Sequence, residues 1–452
     1  MTHEVKNYDG GISASPRRRV WPRNVSEIQA VLSDEARFPS PVRAMGSYHS
    51  LTPCASSSGT MIDMSRMNRI LAIDIENMTF TAQAGLQVID AASVLRRYDL
   101  QLITNIEIGN MTLGAAACCH TKDGLDGTEF GQVSSYVTAV KWVKPDGTLA
   151  EASEATDPDL LHLMRSSYGL CGVVYEVTLR IEPLQAVRFS YLPRRVSDLT
   201  QQEVDRIIEG SEGLVCWTVG STAVFQTRTR IARCGAAGAL FASARRRLWN
   251  DTEARAGRFI DRYVPSGPLR NLAQDGWFAG TNLLFSTLKL VGGASLRNPD
   301  KIIDYRQTSP SAKYVFTFWA FPREQWLHTL REYLAFAEAH RKDHGFRCNM
   351  ALGSYFVRQD RSSCLSYSYG GDVFSIDPIH ARTDEAAWDR FLEGFNEFAH
   401  ARNGIPLLNQ SPLVTKRHVQ AAYGRRWEDF ATWVRREDPS GRMLNPFFAE
   451  LL

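Results

Sequence analysis

Nine consecutive residues, Arg43-Ala44-Met45-Gly46-Ser47-Tyr48-His49-Ser50-Leu51, gather a cation, a glycine, two hydroxyls and an imidazole at the end of an apolar strand-like run. A turn of this composition points successive backbone N–H groups at one spot, which is how backbones bind anions, and Ser47 and Ser50 add hydroxyls suited to phosphate oxygens. His49 adds a nucleophilic nitrogen. By itself the same stretch also describes a polar β-turn with an exposed histidine. No GxGxxG follows any strand-like run, so a Rossmann cradle for a dinucleotide is not expected. A second stretch, Cys118-Cys119-His120-Thr121-Lys122-Asp123-Gly124, has the residue types of a metal site. Its members are neighbours on one loop and do not converge at ligand spacing, so no metal is expected there.

These residues must be positioned by regular elements. From Arg19 to Pro183 short strand-like runs alternate with helical ones, an α/β pattern. The spacing predicts a helix over Val25–Leu32, capped by Ser26, and strands over Pro41–Met45, Thr60–Asp63 and Thr79–Ala84. It then predicts helices over Val88–Tyr98 and Asp159–Arg165, and β-branched strands over Tyr136–Val143 and Val173–Ile181. From Gln185 to Asn403 longer alternating runs, Tyr314–Phe321 and Cys364–Tyr369, mix with amphipathic helices such as Arg323–His340. Ala242–Leu272 is rich in arginine. A membrane-surface helix is one reading of that stretch, and a solvated face with snorkelling arginines is the favoured one. The last stretch, with a helix over Arg425–Arg435, is too short to fold alone and must dock on what precedes it.

The 452 residues are too many for one simple core, and 44% hydrophobic with 22% charged residues describes a globular chain, not a disordered one. A net charge of +3 over so large a surface gives no reason to expect a nucleic-acid partner. No apolar run approaches the roughly 18 residues of a membrane span, and the opening residues lack a secretory h-region. The eight cysteines form no CxxC pair. Free thiols in a reducing cytoplasm are the expectation.

In their order and spacing, several of these segments resemble the FAD-binding signature of the vanillyl-alcohol oxidase (PCMH-type) superfamily, nearest to the aldonolactone and alditol oxidases. They are Gly46–Pro53, Gly59–Leu71, Thr112-Leu113-Gly114-Ala115, Asp146-Gly147-Thr148, Tyr168–Val174 and the closing Asp438-Pro439-Ser440-Gly441-Arg442-Met443-Leu444-Asn445-Pro446. The resemblance covers both ends of the chain. It implies an α+β protein. A bipartite α/β FAD-binding domain would span residues 1–184, an α+β substrate-binding cap 185–403, and a C-terminal segment 404–452 would return to the flavin. FAD contacts would come from Arg43, Gly46, Ser47, Tyr48, His49, Ser50, Leu51, Thr112, Gly114, Cys119, His120, Thr121, Gly124, Gly172, Val174 and Asn445. His49 stands where many relatives bond covalently to the flavin 8α-methyl carbon. A second link through Cys118 or Cys119 lacks the family's sequence context.

Two departures bear on substrate. Gln410 stands where sugar-lactone oxidases carry a lysine, and Gly353–Val357 lacks the charged pair that contacts polyol oxygens in relatives. A small polyol needs many polar partners to replace its water. The altered pocket therefore suits a larger, more apolar alcohol or amine. The activity implied is FAD-dependent removal of hydride from a CH–OH or CH–NH carbon of a small molecule, with oxygen or another acceptor taking the electrons. Tyr355, Tyr367, His380 and Gln410 are the candidates for handling the heteroatom proton. Oxidative tailoring of a natural product, or a redox-silent flavoprotein, are the rival readings.

Overall fold

The computed structural model describes the chain except for residues 1–3, 105, 107, 123–130, 233, 266, 291–293, 297–312 and 382–383; for 241–251, 288, 290 and 294–296 it describes the backbone alone. Helices and sheets are mixed, as the sequence pattern requires. The first strands form a small parallel sheet in the order Arg18–Val20, Thr60–Asp63, Val42–Met45. The helix Val25–Ser33 packs beside it on Ile28, Val31 and Leu32. Its cap is Asn24, whose side chain accepts from the Glu27 N–H, and not Ser26. Asn24 has the extended backbone (φ −152°) that a cap needs, whereas Ser26 already lies within the first turn.

A second sheet of six antiparallel strands follows, with Val173–Pro183 at its centre between Val137–Val143 and Thr79–Gln83. The predicted Val88–Tyr98 helix is an α-helix to Leu95 closed by a 3₁₀ turn over Arg96–Tyr98. Sheet membership changes between Pro183 and Ala186. Ala186–Arg195 opens an eight-stranded sheet that also holds Gly213–Val219, Thr222–Ile231, Leu352–Val357, Val373–Ile376 and Trp319–Pro322.

The two faces of that sheet are covered differently because successive side chains alternate. Phe225 faces Trp326 of the helix Arg323–His344, and Trp326 stacks on Phe374 with ring centroids 4.1 Å apart. The helix Glu385–His400 completes that side through Phe391, Phe395 and Phe398. On the opposite face Val187, Phe189, Tyr191 and Val224 meet Phe278 and Phe285 of the helix Pro268–Leu290, which pairs with Ala236–Tyr263 as a hairpin.

Two predicted strands are corrected. Tyr314–Phe321 divides into Val315–Phe316 and Trp319–Pro322, in different sheets. Thr317 gives its N–H to Pro378 O, in register with the first pair, and the chain then crosses to pair Trp319–Pro322 with Val373–Ile376. Cys364–Tyr369 is a run of turns, with Ser366 N bonded to Ser363 O and Tyr369 N to Ser366 O. Serine hydroxyls nearby compete for the backbone and favour turns over a ladder.

The C-terminal stretch docks on the first sheet. Arg442 donates to Val31 O at 2.8 Å and Leu32 O at 3.3 Å, closing the end of the Val25–Ser33 helix. Asn445 gives its amide N–H groups to Pro53, Cys54 and Ser56 carbonyls at 3.0, 3.3 and 2.9 Å.

Candidate functional site

Between the parallel and antiparallel sheets lies a cleft whose lining is mainly apolar with a few polar groups, the usual character of a ligand site. One wall is the strand end and turn from Arg43 to Ser50; the other comes from Ala84, Met111–Cys119 and the Tyr168–Val174 turn; Asn409 and Gln410 close one side. The turn reverses tightly because Tyr48 takes the left-handed conformation at φ 52°, and its hydroxyl is tied to Ser56 Oγ at 2.6 Å. Gly46 faces Thr112 so closely that a Cβ would lie 2.3 Å from Thr112 Oγ1. Gly172, at φ 130°, passes equally near the Val143 carbonyl.

The buried Arg43 guanidinium is the fastener of this region. It donates to Cys54 O at 2.8 Å, Gly169 O at 3.1 Å, Met443 O at 3.1 Å and Tyr168 O at 2.5 Å. Four carbonyls from three distant segments are thereby held around one cation.

Of the residues that the sequence nominates for FAD, Arg43, Gly46, Ser47, Tyr48, His49, Ser50, Thr112, Gly114, Cys119, Gly172 and Val174 line the cleft, and so does Gln410. Ser47 already donates its proton to Asn110 O, while Ser50 accepts from Cys54 Sγ and keeps its own O–H available. Other nominated residues lie elsewhere. Leu51 is buried behind the turn. His120 bridges Tyr168 OH at 3.2 Å and Ser363 Oγ at 2.9 Å, wholly buried. Thr121 accepts from Val133 N through its hydroxyl and from Tyr367 OH through its carbonyl. Asn445 braces the 53–56 turn from outside. Gly124 lies outside the described residues.

Among the residues considered for the substrate proton, Tyr367 directs its hydroxyl to Thr121 O at 2.7 Å. His380 is not brought to the cleft. It stacks on Trp388 and packs against Phe346, with ring centroids 5.7 and 4.9 Å away, because the helix Glu385–His400 covers its strand. Burial pulls it down to about 3, so it is a neutral core histidine. Tyr355 belongs to a group that sequence reasoning missed. The Lys122 ammonium pairs with the buried Asp377 carboxylate and lies 4.4, 5.1 and 4.6 Å from the ring centres of Phe316, Phe318 and Tyr355. Lys122 was visible beside His120, but its partner is 255 positions away and carries no local signal.

His49 stacks on Tyr8, centroids 4.8 Å apart, and burial, then the nearby Lys313 charge, bring its imidazole down to about 4. It is therefore neutral at physiological pH, with a lone pair for bonding. Burial has the reverse effect on the cleft thiols. Cys118 is pushed to about 11 and Cys119 well above its ordinary range, so neither offers a thiolate. Among the described residues no set of three or more His, Cys, Asp or Glu is placed to hold a metal.

Comparison with known proteins decides what the cleft belongs to. The FAD binding domain family matches residues 16–153, and the D-arabinono-1,4-lactone oxidase family matches residues 300–451; together they take in more than half of the chain. The chain carries an FAD binding domain and is an FAD flavoprotein. Mouse L-gulonolactone oxidase is 29% identical to this flavoprotein over 180 residues, 40% of each chain. Mitochondrial L-galactono-1,4-lactone dehydrogenase of Arabidopsis thaliana is 28% identical over 180 residues, 39% of this chain and 29% of its own. The flavoprotein thus spans less than half the length of these curated relatives. A solved solvent-stable cholesterol oxidase shares its fold, with TM-score 0.74 and 16% identity over 100% of this chain and 97% of the other.

The cofactor is FAD, and the residues present fit it. Asn409 Oδ1 and Gln410 Oε1 are buried at the cleft wall without a hydrogen-bond partner among the described residues. Buried acceptors in that state favour a ligand that brings N–H or O–H groups. The close approach at Gly46 leaves the backbone itself as cleft wall.

Proposed function

We propose that this flavoprotein is an oxidoreductase that removes hydride from a CH–OH or CH–NH carbon of a small molecule and passes the electrons to oxygen or another acceptor. The observation that carries the reading is one cleft with a neutral imidazole, His49, on its turn and two unsatisfied amide oxygens, of Asn409 and Gln410, on its side. That the profile of a lactone oxidase family matches the last third of the chain, and that relatives are named as lactone oxidases and dehydrogenases, supports it. We place FAD between residues 1–184 and the 404–452 segment, with 185–403 as the roof.

Bound there, FAD supplies the two-electron acceptor. The chain's residues do the rest. His49 would hold the flavin covalently, its neutral imidazole on the cleft turn offering a nitrogen for the bond. Gln410 gives an amide N–H to the flavin edge or a substrate hydroxyl; unlike a lysine it brings no charge and accepts no proton. We assign the heteroatom proton to Tyr355, whose hydroxyl hands on its own proton as it receives the substrate's, with the Lys122–Asp377 pair beside its ring. The rings around Lys122 favour a bulkier, more apolar alcohol or amine over a small polyol. None of the cysteines is in a disulfide, which suits a reducing compartment, and we place the protein in the cytoplasm.

The test is anaerobic mixing of the purified yellow protein with two panels, sugar lactones and apolar secondary alcohols or amines. Bleaching of the flavin by the second panel supports the reading. Bleaching by lactones alone removes the substrate assignment, and bleaching by neither removes the activity.

A further inference from the structure

We propose that the hairpin of Ala236–Tyr263 and Pro268–Leu290 rests on the surface of an anionic lipid bilayer. Among the described residues eleven large hydrophobics are exposed, and six of them fall on this hairpin: Leu240, Phe259, Tyr263, Leu269, Leu272 and Leu283. The inner face of the second helix is accounted for, since Phe278 and Phe285 pack on the eight-stranded sheet. Its outer face is the anomaly. Leu269, Leu272, Gly276, Ala279, Gly280, Leu283 and Thr287 are all exposed and, at 100° per residue, share one stripe without a charge, with Leu272 and Leu283 each 69% exposed. A helix bathed in water puts charges on that side.

Charge indicates what covers the stripe. Arg255 and Arg262 are exposed on the first helix beside Phe259 and Tyr263, whose rings lie 5.0 Å apart, and Lys289 is exposed at the end of the second. Arg262 lies over the Tyr263 ring at 5.6 Å. The exposed Asp275 is already paired with Arg347 at 2.7 Å, and Glu253 is buried. An apolar stripe on one helix of the hairpin, with exposed aromatic residues and cations on the other, matches acyl chains below and anionic headgroups above. A second copy of the chain offers the same cationic margin, which repels its own kind. No helix among the described residues is long and apolar enough to cross a membrane, so the hairpin lies in the interface. Leu269 to Leu283 runs about 21 Å along the surface at 1.5 Å per residue.

Co-sedimentation of the full holoprotein with vesicles tests this, with a readout independent of turnover. Binding to phosphatidylcholine vesicles containing phosphatidylglycerol, weakening in high salt and at least about tenfold stronger than to phosphatidylcholine alone, is expected. The variant F259S/L269S/L272S/L283S should lose that binding by about tenfold or more while keeping its circular dichroism and bound flavin. Equal partition into neutral and anionic vesicles overturns the proposal. So does unchanged binding by the variant, or a concentration-dependent dimer that forms through this face without vesicle binding.

Discussion

His49 combines three properties that a tether needs: it lines the cleft, it is neutral near pH 7, and its ring is held by stacking on Tyr8. His49→Ala should therefore move the yellow colour from pellet to supernatant on acid precipitation while the native protein still binds FAD, as read by absorbance near 450 nm, a wavelength typical of flavins in general. Tyr355→Phe keeps the ring that Lys122 faces but removes its hydroxyl, and should lower kcat by roughly 10²-fold or more with flavin content unchanged, measured by stopped-flow bleaching. Equal rates in the two proteins would place the proton elsewhere. At this scale the sequence was most informative where chemistry is local. The turn from Gly46 to Ser50 is contiguous and lies on one wall. It was least informative where partners are far apart, as for Lys122 and Asp377, or where a polar residue is structural. Asn445 and His120 hold carbonyls and hydroxyls together, and a motif does not distinguish bracing from contact.

The same distinction applies to elements. Strands and helices of the first half were legible because β-branched runs and helical spacing there agree with what packing demands, Val137–Val143 and Val173–Pro183 being the clearest. Cys364–Tyr369 misled because alternation survives in a chain of turns when serines alternate with aromatics. The close packing of the turn against the Leu113–Cys118 helix gives a prediction about elements. Gly46→Ala pushes a methyl against Thr112, so FAD content should fall severalfold while thermal unfolding of the apoprotein shifts little. Adding Thr112→Ala removes the 2.3 Å contact but leaves Cβ at 3.2 Å, so recovery should be partial. Asn445→Ala loses three amide hydrogen bonds to the 53–56 turn and should cost about 2–3 kcal/mol in denaturant unfolding, with the cleft loosened from behind.

For the whole molecule, burial of histidines sets the acid limit. His49, His120 and His380 are lowered to about 4, 3 and 3, so the folded chain binds fewer protons than the unfolded one once pH drops below about 6.5. Their contribution is present above that value and is lost as pH falls toward 3. The buried Glu253, raised to about 8, acts in the opposite sense over the same range. Three protons gained by the unfolded chain against one retained by the folded chain leave two, so stability should fall by about 3 kcal/mol per pH unit between about pH 6 and 5 from these groups. Urea unfolding across that interval checks it, and His120→Gln should reduce the slope by about 1.4 kcal/mol per pH unit.

Arg43 and Met443 are joined across 400 positions of sequence, and Asn445 and Arg442 make comparably distant bonds to the 53–56 turn and the first helix. On the ribosome, the strand and turn that carry His49 emerge long before the residues that lock them in place. A nascent chain halted between residues 411 and 441 has every part of the nucleotide wall except its latch. Cofactor capture should accordingly wait until residues 442–445 have emerged, and a chain that stops before Arg442 should accumulate as colourless apoprotein even though its first two sheets are intact in sequence.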